Sequence, residues 1–127
     1  MQVPKDVMYT KEHEWVRIED NKVTVGVTDY AQHQLGDIVF VELPEINDEV
    51  AKGGSFAVLE SVKAVANVYA PVTGMITAVN EDLLDDPALV NSSPYEKGWL
   101  VAFEVENPDE LELLTPNQYK EFIEGLE

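Results

Sequence analysis

The chain has 127 residues and no cysteine. That length suits one compact domain with its own core, and the composition excludes a disulfide framework, a thiolate nucleophile and a cysteine zinc site. Eight Lys and Arg stand against 25 Asp and Glu, a formal charge of -17, which repels nucleic-acid phosphates and anionic membranes and draws the basic faces of partner proteins. The same acidity also serves solubility, and its self-repulsion favours a monomer. No stretch approaches the roughly 20 apolar residues that span a bilayer. Residues 1–8 read as a short lead with no targeting pattern, so a cytoplasmic location is expected.

Short apolar runs broken by turn residues predict a mostly β domain over residues 1–127. His13–Ile18 and Lys22–Val27 read as strands joined at Glu19-Asp20-Asn21. Thr28 is placed to cap a short helix over Asp29–Leu35, which Gly36 ends. Asp37–Leu43 reads as a strand stopped by Pro44. Ser55–Val62 and Ala64–Ala70 read as a strand and its return, Pro71 to Gly74 as a turn, and Met75–Asn80 as a further strand. Residues 81–98 read as loop with one turn of helix, before a strand over Trp99–Val105. Pro108–Leu114 reads as helical. Thr115-Pro116 opens a final helix over 115–127, whose Tyr119, Phe122, Ile123 and Leu126 form one apolar stripe packed on the sheets. The implied architecture is a small sandwich or flattened barrel with helices at its edges.

Lys63 lies between two strand-like segments, in Val58-Leu59-Glu60-Ser61-Val62-Lys63-Ala64-Val65-Ala66-Asn67, with no Gly or Pro between them. A ribbon folding back here puts Lys63 at its tip, where a modifying enzyme reaches the amine and a tethered group swings freely. Acylation there turns a charged amine into a neutral amide. Spacing alone favours an ordinary exposed lysine. The two histidines, His13 and His33, make a poor metal site without a helical HExxH pattern. His13 suits a packed or hydrogen-bonded place beside Trp15, and His33 an exposed helix face. Ser61, Ser92 and Ser93 lack a nucleophile elbow, and Gly53-Gly54-Ser55 lacks the spacing and lysine of a phosphate loop. No acid–base or nucleophile set converges, so the chain does not read as a stand-alone enzyme.

A series of blocks changes the weight given to Lys63. Tyr9-Thr10-Lys11-Glu12-His13-Glu14-Trp15-Val16-Arg17, Gly26-Val27-Thr28-Asp29-Tyr30-Ala31-Gln32 and Leu35-Gly36-Asp37-Ile38-Val39-Phe40-Val41-Glu42-Leu43-Pro44 come first. Glu60-Ser61-Val62-Lys63-Ala64, Tyr69-Ala70-Pro71-Val72-Thr73-Gly74, Leu89-Val90-Asn91-Ser92-Ser93-Pro94-Tyr95 and Gly98-Trp99 follow in order. From about Tyr9 to near the C-terminus the chain resembles the H protein family of the glycine cleavage system. The resemblance implies a lipoyl/biotinyl-carrier-like β sandwich with Lys63 on an exposed hairpin as the lipoyl attachment residue. It also implies that Glu60 and Gly74 are sensed by the lipoate-attaching enzyme, although a turn conformation alone would explain Gly74.

The implied role is a shuttle. A pyridoxal-phosphate glycine decarboxylase would load an aminomethyl group, a tetrahydrofolate-dependent aminomethyltransferase would take it, and dihydrolipoamide dehydrogenase would reoxidise the carrier. Lipoic acid would supply the reactive sulfurs, and the protein presentation, shelter and docking. The resemblance places Glu14, and with less support Glu12, in a cleft sheltering the cationic arm. Thr28, Asp29 and Asn67 are weaker candidates, Thr28 being better explained as a helix cap. Ala66 and Asn67 stand where Ser and Asp are expected, and Gln34 where some members carry His, so arm shelter is expected to vary more than attachment. Other readings stay open. One is a donor of lipoyl groups to other domains, and another is an unmodified acidic adaptor. A biotinyl carrier would call for a Met-Lys-Met-like tip in place of Val62-Lys63-Ala64.

Overall fold

The structure is a computed structural model, and it describes residues 2–106 and 112–126. Among the described residues, nine strands form two antiparallel sheets. In chain order they are β1 (Met8–Tyr9), β2 (Glu14–Glu19), β3 (Lys22–Val27), β4 (Ile38–Glu42), β5 (Glu49–Val50), β6 (Ser55–Ser61), β7 (Val65–Tyr69), β8 (Gly74–Val79) and β9 (Val101–Glu104). The larger sheet runs β1-β2-β3-β9-β8-β5 and the smaller β4-β6-β7. Short helices among the described residues, α1 (Asp29–Leu35), α2 (Asp82–Asp85), α3 (Leu89–Ser92) and α4 (Pro116–Glu124), lie on the connections and near the C-terminus. The expected mostly β sandwich with short helices and a C-terminal helix is the observed fold. No helix among the described residues is long and apolar enough to cross a membrane.

Period-two patterning builds the core. Val23, Val25 and Val27 of β3 point inward with Ile76, Val101 and Phe103, and meet Val41, Phe56, Leu59 and Val68 of the smaller sheet. Phe56 and Phe103 pack edge to face across the two sheets, with ring centroids 5.4 Å apart. The opposite face of β1-β2-β3 carries a second, aromatic core of Tyr9, Trp15, Tyr95 and Tyr119 with Val7 and Ile123. Tyr9 and Tyr119 stack at 4.6 Å. The Tyr119 hydroxyl meets His13 Nδ1 at 2.9 Å and Thr28 Oγ1 at 2.7 Å, so His13 has the hydrogen-bonded place expected of it. Burial lowers the His13 pKa, against a smaller upward pull from Glu12. Tyr119→Phe strips both partners of this bond and is expected to cost about 1–2 kcal/mol. Chemical denaturation at pH 7 checks this, and an unchanged midpoint would contradict it.

Several expectations shift in detail. His13 lies outside β2 because its φ is +67°. Residues 81–98 hold two helical turns, α2 and α3, where one was expected. Most of the predicted Pro108–Leu114 helix lies outside the described residues. Of its remainder, Leu114 exchanges backbone hydrogen bonds with Tyr9 at 2.7 and 2.9 Å, which is strand pairing and not helix. The final helix opens as expected. Thr115 Oγ1 accepts from the Gln118 N–H, and Gln118 returns its side chain to the Thr115 N–H. It ends at Glu124, however, leaving Leu126 beyond it and exposed, so the stripe is Tyr119, Phe122 and Ile123. It packs on the aromatic core beside β1.

Candidate functional site

β6 and β7 form a hairpin with Lys63 at its tip. Glu60 pairs with Val65, and the Ser61 N–H donates to the Ala64 carbonyl at 2.8 Å. Ser61 explains how the chain turns here without glycine. Its Oγ accepts the N–H groups of Lys63 at 3.2 Å and Ala64 at 3.0 Å, so the side chain replaces a backbone turn bond. Lys63 is exposed. The only ion pair among the described residues joins Arg17 of β2 to Asp6 in the turn before β1.

Gly36 lies against the lysine stem. A Cβ there would sit 3.3 Å from Lys63 Cε, and φ is +81°, a conformation that suits glycine. This glycine therefore ends α1 and leaves room for the lysine. Asn91 holds the junction: its Nδ2 donates to the Gln32 side chain and the Gly36 carbonyl, and its Oδ1 accepts the Ile38 N–H, all at 2.9 Å. Nothing in sequence patterning marked Gly36 or Asn91 as supports of the tip, though both fall inside the quoted blocks.

From the tip, β7 leads along its free edge to a cleft of about 790 Å³ lined by Thr10, Glu12, Glu14, Lys52, Tyr69 and Glu112 among others. The five residues of β7 span roughly 15 Å at about 3.3 Å each. Glu14 is only 2% exposed. Its carboxylate accepts from Thr10 Oγ1 at 3.0 Å and from the Tyr69 N–H at 2.9 Å. Burial pushes its pKa up to about 7, and those two hydrogen bonds pull back against it. Glu12 is exposed on the rim and raises it slightly further. Glu14 is thus a buried acid poised to ionise near neutral pH, not one more solvated carboxylate.

The sign of the resulting pH effect follows. The folded pKa lies above the ordinary carboxylate value, so the folded state holds this proton more tightly than the unfolded chain. Stability is full below about pH 4.5 and falls as pH rises through about 7. Glu14→Gln is expected to remove a slope of order 1–3 kcal/mol over that window. Urea midpoints of both proteins at pH 5 and pH 8 measure it, and a pH-independent difference between them would contradict it.

The other sequence candidates lie differently. Thr28 is fully buried and caps α1, its Oγ1 accepting the Ala31 N–H at 3.2 Å. Asp29 accepts from the Gln2 N–H and from Gln32 Nε2, tying down the N-terminal segment. Neither lines the cleft. Asn67 is exposed on β7, accepts from Ser55 Oγ at 3.1 Å, and is also absent from the cleft lining. Gln34 and His33 are exposed on α1. Glu60 is half-buried, three residues before Lys63. Gly74 opens β8, where a Cβ would meet the Glu104 carbonyl oxygen at 2.6 Å. Its φ is not positive, so close backbone approach and not a turn conformation demands glycine there. Thr10 and Tyr69 complete the Glu14 site and were not foreseen. Tyr69 lies 55 residues away, and strand register alone brings it there.

Comparison with known proteins gives the family and the fold. The family model described as glycine cleavage H-protein matches residues 7–125. A glycine cleavage system H protein of Staphylococcus epidermidis is 56% identical over 124 residues, covering 97% of this chain and 98% of the relative. One from Halothermothrix orenii is 53% identical over 128 residues and covers both chains fully. The crystal structure of a glycine cleavage system H protein from Mycobacterium marinum superposes with a TM-score of 0.85 at 38% identity, over 97% of this chain and 98% of that one. This chain belongs to the glycine cleavage H-protein family.

Proposed function

We propose that the chain is the lipoyl-bearing carrier of a glycine cleavage system, with Lys63 as the attachment residue. The observation that carries this is an exposed lysine at a hydrogen-bonded hairpin tip, with no ion-pair partner among the described residues, joined by one strand to a cleft holding a buried carboxylate. When attached, lipoic acid supplies a pair of sulfurs that accept and release cargo. The residues fit the group: Ser61 fixes the tip, Gly36 leaves the lysine stem free, and the cleft has the volume to receive an arm.

Each residue then has a task. Lys63 Nζ forms the amide. Glu60, beside it, and Gly74, through the packing it permits, are the positions a lipoate-attaching enzyme senses. Glu14 receives the cationic amine of an aminomethyl cargo. An ammonium beside it favours the ionised carboxylate, and with water excluded this charge-assisted contact is strong. Entry of the cation is therefore coupled to release of a proton from the cleft below about pH 7. Glu12 adds negative potential at the rim, and Asn67 lies on the path along β7. The carrier moves its cargo from a pyridoxal-phosphate glycine decarboxylase to a tetrahydrofolate-dependent aminomethyltransferase and is reset by dihydrolipoamide dehydrogenase. The protein itself catalyses no step.

The test is glycine labelled with carbon-13 at its methylene. Lipoylated protein is incubated with glycine decarboxylase and followed by intact mass. A labelled addition of one aminomethyl group, discharged on adding the aminomethyltransferase and tetrahydrofolate, is expected. A lipoylated protein that takes up no label would remove the glycine-cleavage role and leave lipoyl donation to other domains as the better reading.

A further inference from the structure

The smaller sheet leaves an apolar surface around Lys63 that folding does not use. Val39 is 54% exposed, Phe40 50%, Val62 73% and Val65 65%. Strand register brings them together: Phe40 pairs with Glu60, Glu60 pairs with Val65, and the Val62 N–H donates to the Asp37 carbonyl. A bulge accounts for two adjacent apolar residues facing water. β4 advances two residues from Ile38 to Phe40 while β6 advances one from Ser61 to Glu60. Val39 is the extra residue, and the regular alternation that would bury one of the pair is broken. Burial of each such side chain is worth about 1.5–3 kcal/mol, a gain the fold forgoes here.

Charge indicates what covers this surface. Asp37, Glu42 and Glu60 surround the apolar residues, and Lys63 is the only basic residue in β4, β6, β7 and the connecting tip. Once Lys63 is drawn into the attaching enzyme's own site, what these strands present is an apolar centre beside acidic residues. Its β4 part lies apart from the arm's cleft: Val39 and Phe40 are at one edge of the smaller sheet, and Glu14 meets Tyr69, at the far end of β7 from Val65, on the other.

We propose that Val39, Phe40, Val62 and Val65 form a collar that docks the lipoate-attaching enzyme, through an apolar patch ringed by Lys and Arg at the mouth of the channel that receives Lys63. The inference rests on the carrier reading above and adds to it the partner's surface chemistry. It divides the small sheet between a docking surface on β4 and the hairpin tip and a sheltering edge at the Tyr69 end of β7. Apolar contact at the centre gives affinity, and the charged rim steers approach.

The test uses the unmodified protein, a purified lipoate–protein ligase, lipoate and ATP, with attachment followed by intact mass. A Val39→Ser/Phe40→Ser double variant is expected to raise KM for the carrier about tenfold, the loss of roughly 1.4 kcal/mol of binding, with little change in kcat. Ile46→Ser, an equally exposed apolar site outside these strands, is expected to change neither. Salt at 0.5 M is expected to raise the wild-type KM further by screening the rim. Thermal melts and a Val39→Ser single variant separate docking from folding. An unchanged KM in the double variant, or a fall in kcat alone, would overturn the collar and leave the carrier reading standing. Wild-type protein that gains no lipoyl group on Lys63 would instead remove the carrier reading.

Discussion

Lys63→Arg is expected to abolish lipoyl attachment and all carrier turnover while leaving the fold intact. Arginine keeps the positive charge and most of the stem, but a guanidinium stays protonated and presents no free amine to acylate. The tip does not depend on this side chain. Ser61 holds it through its own Oγ and the Ser61–Ala64 backbone bond, and Lys63 is exposed. Melting is therefore expected to change by no more than about 0.5 kcal/mol of stability. Attachment assayed by mass, and glycine-dependent labelling in the reconstituted system, give the readout. Residual turnover in Lys63→Arg would contradict the assignment of this residue.

Gly26→Ala should have the largest effect on stability. Trp15 lies across from Gly26 in the β2–β3 pairing, and a Cβ at 26 would fall 2.5–2.6 Å from three indole atoms. The ring has no room to give. It is fully buried, its Nε1 donates to the Pro94 carbonyl at 2.8 Å, and Arg17 lies over it at 5.0 Å. Overpacking together with a strained buried hydrogen bond is expected to cost about 2–4 kcal/mol, a fall in melting temperature of roughly 10 °C. The effect reaches the functional site, because Glu14 precedes Trp15 on the same strand. Tryptophan fluorescence during a thermal scan measures it. A midpoint within about 2 °C of wild type would show that the indole moves aside freely.

Much of this was legible in the sequence, for identifiable reasons. Thr28 and Gly36 bracket α1 because a hydroxyl cap and a positive-φ glycine are local devices. The β6–β7 hairpin could be read because its two apolar runs flank a short polar tip, and Lys63 is where the pattern put it. β1 and β5 were missed because two residues carry no periodicity. The bulge at Val39 was invisible for a related reason: the run from Ile38 to Val41 is uniformly apolar, and only pairing with β6 shows which of its residues face out. Leu126 fits the helical stripe by spacing, yet the helix stops first.

The site divides along the same line. The ordered family-like blocks singled out Lys63, but the depth of Glu14 depends on contacts distant in sequence. Beside Glu12 and Lys11 it reads as a surface acid. It becomes a buried carboxylate because β7 delivers the Tyr69 N–H to it and Thr10 turns back over it. Asp29 was a weaker candidate for the cleft, and the structure uses it to hold the N-terminal segment, while Thr28 takes the capping role the sequence favoured for it. Gly74 shows the converse. A glycine in a turn-like run is required by the neighbouring strand's carbonyl and not by its own φ.

Purification from the native host, followed by intact mass and peptide fragmentation, tests the assignment of Lys63 most directly. A lipoyl-sized addition confined to the peptide bearing Lys63 is the expected result. A native protein without that addition, in cells whose other lipoyl proteins are modified, would contradict it.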